Sequence, residues 1–329
     1  MTKNKNLTRK ILIAAILLVV FGIMSAIAFG ESYIALMFCR FGIYTIAVSG
    51  LDILFGYTGQ ISFGHAAFFA IGAYGSAYFA INMGWNPIIT ILIGAVLSMA
   101  IAAIIAIPAT KLIKHFLSLL TIAFGQLVYT FANSTRSITG GASGLRDIPH
   151  ISIFGFQFDS YAKSFLLIFV LTVLFTIVKR NIVNSRIGRG FIAIRENTQA
   201  AYSSGINVRL YKTLAFIISA CYTGVAGGLY AHLFNFISPD TFSSTQSTLF
   251  MTILLFGGMA SLAGPLVGSI ALLCIREVLQ SFSTYQMLVY AILILIVLFV
   301  LPNGVSGAFK ALAGKLKFLK AGGKSHAET

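Results

Sequence analysis

The stretch Pro87-Ile-Ile-Thr-Ile-Leu-Ile-Gly-Ala-Val-Leu-Ser-Met-Ala-Ile-Ala-Ala-Ile-Ile-Ala-Ile-Pro-Ala109 carries no charged side chain. As a helix rising 1.5 Å per residue it would reach across a hydrocarbon layer about 30 Å thick. A lipid interior leaves no water for unpaired backbone groups, so a spanning segment must be a helix or part of a closed barrel. Barrel strands alternate in polarity over roughly ten residues. This run does not alternate. Comparable apolar runs lie at about 11–29, 33–50, 61–82, 115–134, 163–180 and 213–235, followed by a longer apolar region at 246–301. The fold class is therefore all-α, a polytopic bundle of membrane-spanning helices.

Composition agrees. Of 329 residues, 58% are hydrophobic and 9% are charged, against about 25% charged in ordinary soluble domains. The formal net charge of +15 would suggest a nucleic-acid partner if it covered one soluble face. Instead the cations fall in blocks between apolar runs: Lys3 to Lys10, Lys111 with Lys114, Lys179 to Lys212, and Lys310 to Lys324. Lys and Arg clustered in short loops mark the cytoplasmic side of a membrane protein. Cys39, Cys221 and Cys274 stand singly in apolar surroundings, so neither a disulfide framework nor a metal site is expected.

The cationic blocks give a self-consistent threading, with a cytoplasmic N-terminal segment at 1–10, a transmembrane domain at 11–305 and a basic cytoplasmic tail at 306–329. Residues 181–212 form a cytoplasmic loop within that domain. Ala26-Ile27-Ala28 looks like a signal cleavage site, yet the preceding run is long for a signal core, and a retained first helix is expected. Reading 246–301 as two helices would place the basic tail outside, against the charge rule. Gly257-Gly258 and Gly264-Pro265 interrupt this region, and proline removes a helical hydrogen bond. Two short segments, 246–260 and 265–280, are expected before a last helix at 285–301. About ten crossings result, or eight if 246–280 is re-entrant, and both termini are cytoplasmic. Gly/Pro-broken segments at membrane depth occur where protein covers them or where they line a cavity.

The chain shows no source of power. Gly323-Lys324-Ser325 has the end of a phosphate-binding loop, but Phe318 stands where its first glycine belongs. Only eight acidic residues are present, a thin supply for an ion-coupled carrier, which usually keeps carboxylates in the membrane. Asp52, Glu277 and His65 are the reasonable coupling sites for that alternative. No catalytic residue, metal site or cofactor site is expected.

Residues 56–74 combine small and polar side chains. Gly56, Gly59, Ser62, Gly64 and Gly72 permit close helix approach, with Phe68 and Tyr74 between and beyond them. Gln60, Ser62 and His65 need partners inside the bundle. The segment reads either as a packing interface or as a lining of the solute path. In the basic loop, Arg189, Arg195, Glu196, Asn197 and Ala200 lie in or beside short helical segments that Gly205 can stop. Such a unit suits the groove of a cytosolic partner, though a solvated topogenic loop has the same composition. The loop at about 135–162, with Thr139-Gly140-Gly141-Ala142-Ser143-Gly144, can serve as a lid, a docking surface or a plain connector.

Taken together, the Ser62-Phe63-Gly64-His65 core, Ala123-Phe124-Gly125-Gln126, Thr139-Gly140-Gly141, Gly188-Arg189 to Arg195-Glu196-Asn197, and Gly205-Ile206-Asn207-Val208 resemble the LivM-like permease subunits of branched-chain amino acid ABC importers. Gly224 to Tyr230, Gly257-Gly258, Gly264-Pro265 and Pro302-Asn303-Gly304 continue the resemblance to about residue 305. It implies a second homologous permease subunit, two cytosolic ATPase subunits that use the ATP, and an extracytoplasmic solute-binding protein that does most of the selecting. It also implies that the segment around 195–205 couples ATPase closure to the membrane path. Related permeases carry urea, short amides or simple sugars.

Overall fold

The structure, a computed structural model, describes residues 33–109, 114–153, 156–280, 291–292, 295 and 304–305. The expected first helix and the basic tail lie outside the described residues, as does nearly all of the last helix.

Helix α1 (Tyr33–Leu51) runs directly into a π-helical turn (Asp52–Tyr57). After seven residues without helix come α2 (His65–Met83), α3 (Pro87–Ala109) and α4 (Lys114–Ser134). The connector that follows holds a short helix α5 (Arg136–Thr139) and a two-residue antiparallel ladder, β1 (Ser152–Ile153) with β2 (Phe156–Gln157). Next come α6 (Tyr161–Asn184), α7 (Arg186–Glu196), α8 (Thr198–Ser203) and α9 (Val208–Phe234). Helices α10 (Ser244–Gly257) and α11 (Gly264–Gln280) follow. Among the described residues, six helical stretches are long and apolar enough to cross a membrane.

Lipid tails are as apolar as leucine, so helices in a membrane gain little by hiding oily side chains and gain more by packing closely. Here glycine provides the closeness. A β-carbon on Gly72 would lie 2.1 Å from the Gly224 carbonyl oxygen, and one on Gly94 would lie 2.5 Å from that of Gly72. One on Gly227 would meet the Phe69 carbonyl oxygen at 2.0 Å. Helices α2, α3 and α9 thus touch backbone to backbone. Phe68, Phe69, Phe216 and Phe250 fill the space beside them, while Ile89, Leu92, Val96, Ile104 and Ile107 on α3 point outward. Helix α1 crosses α9 at Gly50, against Ser219 and Tyr222, and crosses α6 at Gly42, against Ile168.

These contacts set the directions. Helix α1 descends from Arg40, stacked on Phe234 at the end of α9, to Gly50, beside Ser219 nearer its start. Helices α2 and α9 run side by side in the same sense, pairing His65 with Ser219 and Ser76 with His232. One end of the bundle therefore carries α7 and α8 with their arginines; the opposite end carries the β ladder. There the 135–160 connector is pinned rather than loose, because Leu145 and Ile237 exchange backbone hydrogen bonds and Asn235 donates to the Ile148 carbonyl.

One expectation shifts. The helix expected at 61–82 begins only at His65, and the helix before it extends through the π turn, leaving residues 58–64 unwound inside the bundle. The apolar run at 246–280 does break, at a turn where Gly258 has φ 103° and Ala260 φ 51°. Helix α10 has 14 residues and α11 has 17, or about 21 and 26 Å of rise, each short of a 30 Å core.

A branched side chain at Gly72 should drive α2 from α9. Gly72→Val is expected to cost at least the 1–3 kcal/mol typical of overpacking and to lower the thermal unfolding midpoint of the purified protein. Gly125→Ala, where a β-carbon finds its nearest neighbour at 3.8 Å, should leave that midpoint within a degree or two.

Candidate functional site

At the end of the bundle nearer α7, a carboxylate and an ammonium are shut away from solvent. Lys179 Nζ lies 2.7 Å from Asp52 Oδ2, and both side chains are 0% exposed. The other carboxylate oxygen, Oδ1, accepts the backbone N–H of Ala260 at 2.7 Å, and Lys179 donates also to the Ser261 carbonyl at 3.1 Å. The pair therefore joins three segments: the π turn after α1, the end of α6, and the turn between α10 and α11. Isolated, either charge would be costly at this depth. The π turn and the unusual backbone at Ala260 are what aim the groups at each other.

Gly56 belongs to the same joint, since a β-carbon there would strike Asp52 Oδ1 at 1.8 Å. Its carbonyl accepts from Arg195 Nη1 at 2.5 Å. Arg195 thus turns inward from the last turn of α7 and connects that helix to the joint. The unwound segment is held to α9 as well: Gln60 donates to the Lys212 carbonyl at 3.3 Å, and Gly59, at φ 70°, lies against Arg195.

Helices α7 and α8 form a capped unit. Ser185 accepts from the Ile187 and Gly188 N–H groups, and Asn197 from those of Gln199 and Ala200, each satisfying amides that a helix start leaves open. Gly188 fits against the Val183 backbone, and Phe191 and Ile194 are buried. Arg189, Glu196, Asn197 and Ala200 are exposed, as is Gly205, at φ 81° after α8. Tyr202 is 74% exposed. The residues singled out in this loop therefore divide, with Arg195 facing the bundle and the others facing out.

The 56–74 residues are brought together, mainly as packing. His65 is 1% exposed, with Nδ1 3.2 Å from Ser62 Oγ and Nε2 2.7 Å from Ser219 Oγ. Both ring nitrogens are occupied by hydroxyls, so it acts as a pin between the unwound segment and α9. Gly64 sits against Thr121 of α4, Phe68 packs on Phe124 and Phe216, and Tyr74 packs on Phe242. Gly257 and Gly264 cross at van der Waals contact, with Gly258 in the turn between them and Pro265 in the first turn of α11.

Lys179 was not legible as part of a site. It stands at the end of the apolar run 163–180 and first in a basic block, and reads as a charge marking the cytoplasmic boundary, whereas the structure buries it within α6, five residues before the helix ends. The one available signal was its position directly after an uncharged run, matched by Asp52 directly after another.

A family model described as "Branched-chain amino acid transport system / permease component" matches residues 33–298. The chain belongs to this permease family. It is a multi-pass membrane protein and a transport subunit. It is similar to the high-affinity branched-chain amino acid transport system permease protein LivM of Escherichia coli strain K12, 29% identical over 80% of this chain and 67% of that one. LivH of the same strain is 27% identical over 80% of this chain and 91% of its own length. A solved chain, PsaBC from Streptococcus pneumoniae in complex with Fab, matches 90% of this chain at 14% identity and a TM-score of 0.43, a likeness too loose to carry an argument.

Removing one partner strands the other charge. Lys179→Met should cost about 3–5 kcal/mol, whereas the double change Asp52→Asn with Lys179→Met should recover most of it. A double-mutant cycle on thermal unfolding in lipid nanodiscs measures that coupling.

Proposed function

We propose that this permease is one of a pair of homologous subunits in an ATP-driven importer for branched-chain amino acids. Similarity to both LivM and LivH supports a second, related subunit beside it. In this reading the chain has no ATPase site and binds no cofactor. Two cytosolic ATPase subunits consume the ATP, and an extracytoplasmic binding protein delivers the solute. The end carrying Arg180, Arg186, Arg189, Arg195, Arg209 and Lys212 faces the cytosol, as the charge rule requires. Both termini lie there too. Eight helices cross fully, and α10 with α11 enters as a re-entrant hairpin from the outer side.

The single observation that carries the mechanism is the bond from Arg195 to the Gly56 carbonyl. The ATPase docks on the exposed face of α7 and α8, with Glu196, Asn197 and Ala200 at the contact. When the ATPases close, α7 shifts and Arg195 takes the π turn with it. Asp52 moves with that turn, and its hold on Lys179 and Ala260 carries the displacement to the foot of the α10–α11 hairpin. A rigid ion pair suits this task because its bonds are short and directional. The ion-coupled alternative loses ground on the same geometry: Asp52 is already neutralised by Lys179, and His65 is bonded to two serines.

Reconstituted with its partners, the wild-type chain should take up leucine only with ATP, and uptake by the chain alone would defeat the reading. Glu196→Arg with Ala200→Glu should cut ATP-driven uptake about tenfold or more, as expected for loss of an interface contact worth over 1.4 kcal/mol, at unchanged thermal stability. A cysteine placed at Tyr202 should react with an impermeant maleimide only from the cytosolic face.

A further inference from the structure

A second feature lies at the other end of the bundle, where α1, α9, α10 and α11 line an open cavity of about 310 Å³, with Asp240 and Arg276 exposed at its wall. Its walls follow helical periodicity. Met37, Arg40, Phe41 and Tyr44 form one face of α1, and Leu273, Arg276 and Glu277 one face of α11. Asp240 comes from the turn before α10, and Gln246 and Leu249 from α10 itself.

The charges on this wall are two guanidinium groups and two carboxylates, so they sum to zero. Self-satisfied charges of this kind would pair. Among the described residues the ion pairs are Lys163 with Asp159 and Lys179 with Asp52, so none of these four closes on another within 4.0 Å. Three of the four are instead held by side chains outside the cavity wall. The Arg40 guanidinium stacks over the Phe234 ring at 5.0 Å, Asp240 accepts the Tyr129 hydroxyl at 3.1 Å, and Glu277 accepts that of Tyr33. Gln246 adds a buried side-chain nitrogen with no hydrogen-bond partner, the kind of group whose isolation is costly unless something accepts from it.

A cavity with both signs of charge, zero sum and an unfilled donor fits a ligand that carries both charges itself. An anion site would have excess arginine, and a cation site excess carboxylate. The volume lies at the small end for ligand pockets, and the apolar remainder of the wall (Met37, Phe41, Leu249, Leu273) matches an aliphatic side chain. We propose that this cavity binds a free α-amino acid as its zwitterion, the carboxylate on Arg40 and the Gln246 amide, the ammonium between Asp240 and Glu277. The proposal rests on the import reading for its place in transport: the cavity is the first station after delivery, and the permease itself reads both charged ends of the solute.

The test is equilibrium binding of radiolabelled L-leucine to the full chain, assembled with its partner permease and ATPase subunits in nanodiscs without the binding protein. L-leucinamide, which lacks the carboxylate, and 4-methylpentanoate, which lacks the ammonium, serve as competitors. Each should compete at least about tenfold more weakly than leucine, the equivalent of about 1.4 kcal/mol. Arg40→Gln should abolish the difference between leucine and leucinamide. Gln246→Leu should weaken leucine severalfold, and it carries the test alone if Arg40→Gln fails to fold by thermal unfolding. Absence of leucine binding, an analogue competing as well as leucine, or variants binding like wild type would overturn the proposal. Any of these results alongside normal ATP-driven leucine uptake by the complete system would remove the cavity assignment and leave the import reading standing. Charge-selective binding without ATP-driven uptake would do the reverse.

Discussion

Asp52 and Lys179 meet where neither can reach water, and that meeting constrains everything around it. A carboxylate at this depth must find donors for both oxygens, and it finds the lysine for one and the Ala260 N–H for the other. To place them, α1 widens into a π turn, α6 must run straight to its lysine, and the chain after α10 must bend through a left-handed residue. Hydrophobic residues in the same positions would have held the helices together as well or better. What they would not supply is direction: a two-oxygen acceptor with fixed donors allows one arrangement of three segments and resists the intermediate ones.

That constraint explains why the unwound stretch 58–64 survives inside the protein. Open backbone in a membrane is tolerable only when its polar groups are met by protein. Here Gly59 and Gln60 bond back to the Phe55 and Leu54 carbonyls, the Gln60 side chain reaches Lys212, Ser62 reaches His65, and Thr121 accepts the Phe63 N–H. The segment is irregular yet tied at these points, and Arg195 holds its upstream neighbour. A helix through the same residues would have separated the α7–α8 unit from the joint.

Much of the architecture was legible because lipid enforces it. The uncharged runs gave the positions of the described helices to within a few residues, and Gly257-Gly258 with Gly264-Pro265 announced the break between α10 and α11. The glycines of the 56–74 run were legible as close-packing sites for the same reason. The joint was not. Asp52 and Lys179 are 127 residues apart, and nothing in the spacing of either says that α1 and α6 bring them together. Arg195 misled in the opposite sense, since its exposed neighbours made it read as a surface charge. Charge patterns report which side of the membrane a loop occupies; they do not report which member of a block turns inward. The cavity at the far end was hidden likewise, because Arg40, Asp240 with Gln246, and Glu277 come from three separate stretches.

The contact of α2, α3 and α9 through Gly72, Gly94, Gly224 and Gly227 brings main chain against main chain, with Ser98 the one side chain set directly against Gly224. Side chains can yield by changing rotamer; backbones at that distance cannot. Three helices packed this closely are suited to serve as a stator, a fixed frame against which other parts could be displaced. Any machinery that alternates access needs such an immobile reference, since a force applied to a uniformly soft bundle would be absorbed as bending. The glycines, usually taken as signs of pliability, are here what locks three helices together.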